Sequence, residues 1–386
     1  MNMKVTGQRS PRPVTTSLVV GLLCCLPGNN LYPQTAVETN VVVVSDGSSP
    51  TNASPGYAGA AAAVLGFAQL GTVSDASTSL FSLTGDAQEA SDLELSLASG
   101  LEAEVSHAAV VSQREGTFSD ASVANIRLTG RSGFWGGGVT TISADFVMSE
   151  ATAACSTNGA TFSGQSQING LVVDGQPVAV TGQTNQFVFL SGGGFMVINE
   201  QFTGQASTMV DGQSVTAEGI AVNALHVILP GAGVNVAFGS SAAGIGCGNE
   251  TNRFAPSQVC GDFTTGGGWI TGTPSGAKAN FGVAGGVKEG AFWGHLNYID
   301  QGSGRHVKHT AVTGYSVDPN DTNCRFISYT VTIDGQPGTA EVHLCDLGEP
   351  GGNDRFEIQL SDGYSAGGDL GGSQAGGGNI QLHTCQ

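Results

Sequence analysis

Charge is scarce in this chain. Only 11% of its 386 residues are charged, and the scarcity is one-sided, with 13 Lys plus Arg against 31 Asp plus Glu. Phosphate backbones repel so acidic a surface, which argues against nucleic acid as a partner. Aromatic residues are few, at 7%, and no apolar run reaches the ~18 residues of a membrane-spanning helix. No Cys-x-x-Cys pair occurs, which removes the usual zinc and thioredoxin-like signatures. Glycine is the exception, at 60 residues, but without the Gly-X-Y period of collagen. An apolar share of 40% is too high for a disordered chain. What remains is a protein of many short strands and tight turns.

The N-terminus, "MNMKVTGQRSPRPVTTSLVVGLLCCLPGNN", sets Lys4, Arg9 and Arg12 before the apolar run Leu18 to Leu26. That layout predicts a secretory signal peptide over residues 1–30, hence a secreted or cell-surface-associated protein with no transmembrane segment in its mature chain. The leader holds three basic residues and no acidic one, so its removal takes the net charge from −18 to about −21. Six cysteines remain, an even number in an exported chain, and these read as disulfide partners.

Strand signals are strong. In Leu93 to Val105, "LELSLASGLEAEV", the odd positions are mostly apolar and the even ones mostly Glu or Ser, which predicts one strand with one buried face. Asp-Gly-Gln recurs at Asp174, Asp211 and Asp334 between β-branched runs, as hairpin turns that need positive φ. The last of these hairpins brings Cys324 and Cys345 opposite one another. Cys155 with Cys247 would staple a first domain over 31–250, and Cys260 with Cys385 would tie the ends of a second over 260–386. The polar segment 251–259 between them reads as a linker. Six cysteines allow other connectivities, which spacing alone does not decide. Ala58 to Leu70, "AGAAAAVLGFAQL", reads equally as a helix or as buried strand.

Several motifs invite chemistry and fall short. "GGGWITGTPSGAKANFGVAGG" (Gly266 to Gly286) mimics a phosphate loop, but its glycine spacing is short, Ala277 precedes Lys278, and strand-like sequence follows where a helix is required. "GYSAG" (Gly363 to Gly367) fits a nucleophile elbow in letters only, because no helix can follow it. His306 and His309, three apart on a strand, point to opposite faces.

Two weaker site readings survive. The loops "SVDPNDTN" and "CDLGEPGGND" offer Asp318, Asn320, Asp321, Asp346, Glu349 and Asp354 as oxygen ligands for calcium, without the EF-hand order. No other cofactor is expected. In "GAFWGHLNY", Trp293, His295 and Asn297 share one strand face, and Trp135 stands in a second aromatic stretch. A tryptophan beside hydrogen-bonding groups suits stacking on a sugar ring. The plainer reading makes one face core and the tryptophan its edge.

From about Tyr57 to Ile245, in "ASVANIRLTG", "GVTTISADFVMSEATAAC" and "AVNALHV", the chain resembles the choice-of-anchor P domain of bacterial surface proteins. From Cys260 to His383, in "GHLNYID", "LGEPGGNDRFEIQLSDGYSAGG" and "GGGNIQLH", it resembles the post-choice-of-anchor-P type-one domain that commonly follows. The resemblance implies a bacterial exported protein and no assigned catalytic residue. Members often carry a C-terminal anchoring signal, which the ending "IQLHTCQ" does not match. The expected fold is all-β, with two tandem antiparallel β-sandwich-like domains. The expected function is structural or adhesive at the bacterial surface, without catalysis, toward an envelope or extracellular glycan or protein, or toward itself. A glycan-binding module assisted by calcium is the alternative.

Overall fold

A computed structural model describes residues 14–20, 39–45, 54–65, 77–82, 86–97, 100–113, 116–131, 138–156, 158–191, 193–210, 213–245, 262–288, 290–374 and 376–384. The chain is built of antiparallel strands, as the period-two alternation predicts. Val14–Val20 pairs with Thr39–Ser45 in a two-stranded ribbon. All other described strands belong to three large sheets.

The middle sheet runs, from one edge, through Gln176–Pro177, Val172–Val173, Val139–Ser156, Gly116–Arg131, Leu101–Gln113 and Asp86–Leu97, and Gly159–Asn169 also pairs with Val139–Ser156. The outer sheet runs Gln186–Leu190, Gly194–Val210, Gln213–Leu229, Val234–Ile245, Ser54–Leu65 and Ser77–Ser82. Between these two lies the first core, with Val123, Ile126, Ile142 and Val147 on one side and Met196, Ile198, Leu225 and Phe238 on the other. Ala58 to Leu65 is therefore strand, while residues 66–70 lie outside the described set.

The third sheet runs Ser365–Asp369, Arg355–Leu360, Gln336–Cys345, Asp321–Ile333, Arg305–Asp318, Ala291–Asp300, Ala279–Lys288, Phe263–Ile270 and Gly378–His383. It curls around its own core of Phe281, Leu296, Tyr298, Tyr329, Val342 and Phe356. Its far ends meet where the Gly367 N–H donates to Gly272 O and the Gly371 N–H to Trp269 O, both at 2.9 Å. A Cβ on Gly272 would overlap the Gly367 carbonyl oxygen. The glycine of the phosphate-loop look-alike is thus there for close backbone approach. Lys278 of the same motif lies over the Trp269 ring at 4.2 Å and donates to Asp145 Oδ2 at 2.7 Å and Asn169 Oδ1 at 3.1 Å.

The curled sheet covers the second face of the middle sheet: Trp269 and Ile299 pack on Val105, Ala124, Phe146 and Met148. The middle sheet is consequently buried on both sides. Two local irregularities make this face arrangement. Val105 (φ 46°) and Asn125 (φ 48°) sit at bulge positions on neighbouring strands, and Asn125 Nδ2 donates to Glu104 Oε2 at 2.6 Å. Each bulge switches which alternate positions face which neighbour. Leu101 and Ala103 face the outer sheet, whereas Val105 faces the curled one.

Leu93 to Val105 is a hairpin and not the single strand expected. Leu97 pairs with Leu101, and Gly100 (φ 79°) supplies the left-handed turn that alternation alone does not reveal. Two of the three Asp-Gly turns adopt the expected positive φ at both residues, at Asp174–Gly175 and Asp334–Gly335. At the third, Val210 pairs with Gln213, and residues 211–212 lie outside the described set. Cys324 and Cys345 are disulfide-bonded directly across the last hairpin, as its register predicts. Cys155 is disulfide-bonded as well. Cys247, Cys260 and Cys385, the leader cysteines, Trp135 and the whole of segment 251–259 lie outside the described residues.

Candidate functional site

The strand Ala291–Asp300 divides its faces as expected, with Leu296 and Tyr298 in the core of the curled sheet and His295 and Asn297 opposite. That opposite face is not open, which corrects the picture of an exposed platform. His295 and Asn297 are fully buried against the middle sheet, and Trp293 packs edge-on to Phe263 at 5.4 Å beside Ala87 and Val111. Alternation marked a polar face without showing that a second sheet covers it.

The acidic loops do not gather into one ligand shell. Asp318 Oδ1 accepts from the Asn320 backbone N–H at 2.8 Å, and His343 Nε2 lies 3.0 Å from Oδ2. Asp321 Oδ1 accepts from the Asn323 N–H at 3.0 Å. Asp346 accepts from the Leu382 N–H, and Asp354 from both Leu347 and Ile380 N–H groups. Glu349 takes up Asn379 Nδ2 at 3.1 Å. These are turn- and strand-closing bonds to the chain's own donors. Among the described residues, the three His, Cys or carboxylate groups whose ligand atoms all lie within 4.8 Å of one another are Cys324, His343 and Cys345. The two sulfurs are already joined to each other, so they offer no thiolate to a metal.

The polar chemistry is concentrated in the seam between the middle and curled sheets. From the middle sheet come Glu89, His107 and Asp120; from the curled sheet comes His295. Asp120 Oδ2 lies 2.7 Å from His107 Nε2, His107 Nδ1 lies 2.8 Å from His295 Nε2, and His295 Nδ1 lies 2.6 Å from Glu89 Oε2. His107, His295 and Asp120 are buried, and Glu89 forms the half-buried end. Gly282 admits the His107 side chain, because a Cβ there would come within 2.6 Å of His107 Cβ. Burial opposes ionisation of Glu89, but attraction to His295 and its hydrogen bond prevail and hold the carboxyl at about 2. Burial lowers His295, against the pull of Glu89. His309, whose ring lies 6.0 Å from His295, is pushed down to about 4 by burial and by its histidine neighbour. His306 instead faces Glu94 at 3.2 Å.

Further along the seam two carboxyl groups meet that are 199 positions apart in sequence. Glu150 is buried, and Asn379 Nδ2 donates to its Oε1 at 2.6 Å. The same Asn379 amide reaches Glu349, and Gln165 Nε2 bridges the pair from the other side. Burial, reinforced by Glu349, pushes the Glu150 carboxyl up to about 8, so it is protonated at neutral pH. Neither seam cluster was assembled by sequence reasoning. The only local signals were single polar residues inside apolar runs, as in "VSHAAVV" and "FSDASVANI".

Two solvent-facing features complete the inventory. At the rim of the seam a cleft of about 600 Å³ is lined by Asp92, Leu93, Glu94, His306, Lys308 and Thr332, with no Phe, Tyr or Trp among its lining residues. Its charges pair across the sheets, Asp92 with Lys308 at 3.2 Å and Glu94 with His306. On the far side, Gln186–Leu190 is an edge strand of the outer sheet. Val188 packs on the core, whereas Phe187 is 54% exposed and Phe189 82% exposed on the other face.

Comparison with known proteins adds little. No family model and no curated protein matches the chain. Among solved structures it is similar to a Nitrosomonas europaea protein assigned as AttH, at 10% identity, covering 69% of this chain and 87% of that one, with a TM-score of 0.21. That superposition is too loose to bear on function. No helix among the described residues is long and apolar enough to cross a membrane. The candidate site therefore rests on this chain's own geometry: a sealed polar seam and one exposed aromatic strand edge.

Proposed function

We propose that the chain is an exported structural or adhesive protein of a bacterial surface, and that the edge strand Gln186–Leu190 is its contact surface. The observation that carries this reading is the pair Phe187 and Phe189. A strand edge offers unpaired backbone groups, and proteins ordinarily guard such edges with charge, proline or a covering loop. Here the edge carries two exposed phenylalanines and no charged residue. Burial of each ring in a complex contributes about 2 kcal/mol. The occupant that fits is an extended strand with apolar side chains, added to the sheet edge by main-chain hydrogen bonds. The leader-like N-terminus, the disulfide and the resemblance to choice-of-anchor P proteins support export and the surface setting.

The test is binding of the oxidised mature protein to envelope fractions and to itself, with a Phe187→Ser/Phe189→Ser double variant alongside. The variant is expected to lose at least about ten-fold in affinity, the value of a single ~1.4 kcal/mol contribution, while its thermal stability stays near that of the wild type. Equal binding by both proteins would sink the reading. Sedimentation of the wild type alone separates self-association from capture of another protein.

A further inference from the structure

We propose that Glu89, His295, His107 and Asp120 form a proton-storing clasp between the middle and curled sheets, retaining one proton more than two carboxylates and two neutral imidazoles supply. Four groups are joined in a line by three contacts of 2.6 to 2.8 Å, each of hydrogen-bonding length. Each bond needs one proton, so the line needs three. Two ionised carboxylates bring none, and two neutral imidazoles bring two. With only two protons, one contact would set two lone pairs face to face inside a buried seam, which is costly.

The position of the added proton follows from the ends of the line. Glu89 is held ionised, so His295 donates from Nδ1 and presents a bare Nε2. His107 then donates from Nδ1 to that nitrogen, and the third proton lies between His107 Nε2 and Asp120 Oδ2. The clasp as a whole carries a single negative charge. The titratable groups around it are His309 and Tyr329 near Glu89, and His383, Glu150 and Glu349 near Asp120. His309 and His383 are both lowered to about 4 by burial and are neutral near pH 7, so they supply no competing cation. The Asp120 end belongs to the middle sheet and the central His295 to the curled sheet, so loss of the stored proton weakens the join between them.

The sign of the pH effect is fixed. Unfolded histidines release their proton near 6.5, whereas the clasp keeps its own, so its stabilisation is complete below that value and is lost as pH rises through the folded release point. Glu89→Gln tests this. A glutamine amide donates to His295 Nδ1, both rings switch to the Nε2–H tautomer, and three bonds are made with no added proton. Urea unfolding of the full chain is followed from pH 6 upward for the wild type and Glu89→Gln. The wild-type folding constant, relative to the variant, is expected to fall about ten-fold per pH unit above the histidine range. Glu150 is present in both proteins and cancels. A wild-type-to-variant ratio that does not change with pH would overturn the clasp. If the variant does not fold, ¹⁵N spectra of wild-type histidines near pH 8 decide. Protons on Nδ1 of both His107 and His295, a bare His295 Nε2 and a third proton shared by His107 Nε2 and Asp120 uphold the count. Two neutral rings with one N–H each and no third proton overturn it.

Discussion

Glu150→Gln is expected to stabilise the protein by about 3 kcal/mol near pH 7 and to change little below about 4.5. An unfolded glutamic acid ionises in the usual carboxylate range, while in the seam Glu150 holds its proton up to about 8. A raised pKa means that the folded state binds the additional proton. The favourable contribution is complete below the unfolded value and erodes steadily as pH rises toward 8. Glutamine is uncharged at every pH and retains an oxygen for Asn379, so it removes the penalty and leaves the packing. Glu349 and Asp354, the latter raised to about 6 by burial, act with the same sign. His383 and His309 act oppositely, costing stability as pH falls through about 4. The wild-type optimum should therefore lie on the acid side of neutrality. Urea midpoints at matched pH check both statements, and equal midpoints for Glu150→Gln and wild type near pH 8 would refute the assignment.

Phe356→Ala should cost about 3–5 kcal/mol, the range for truncating a fully buried phenylalanine. Its ring stacks on Phe281 at 3.9 Å and lies parallel to Tyr298 at 6.0 Å, so two other strands of the curled sheet lose a common partner. These strands are already tied to one another by their ladders, which limits how far the cavity can collapse. Phe292→Ala is the contrasting control: the same deletion at a ring 49% exposed should cost less than about 1 kcal/mol. Chemical denaturation of both variants is the measurement. A loss at Phe356 no larger than that at Phe292 would mean that the stacked rings are not the centre of this core.

Much of the strand plan was legible, because alternation is a local property. The turns at Asp174 and Asp334, the Cys324–Cys345 register and the two faces of Ala291–Asp300 all follow from spacing within about twenty residues. What covers a polar face is not local. His295 and Asn297 read as outward because nothing within their own hairpin shows that the middle sheet, built more than a hundred residues earlier, seals them. The switches at Val105 and Asn125 were equally hidden, since a bulge changes face parity without requiring glycine. The meeting of Glu150 with Glu349 is non-local in the same way as the covering of His295.

The polar side of the middle sheet has a consequence for how the molecule is made. Synthesis runs from the N-terminus, and domains generally fold in that order. The middle and outer sheets are therefore complete before the strands from Phe263 onward exist to cover them. In that interval the uncovered face presents His107, Asp120, Ser122 and Glu150 to water, where carboxyl and imidazole groups ionise normally. A wholly apolar face in the same place would invite wrong partners among neighbouring nascent chains. The seam that later forces Glu150 to keep its proton is, at birth, a hydrated surface that keeps the half-finished protein apart from its copies.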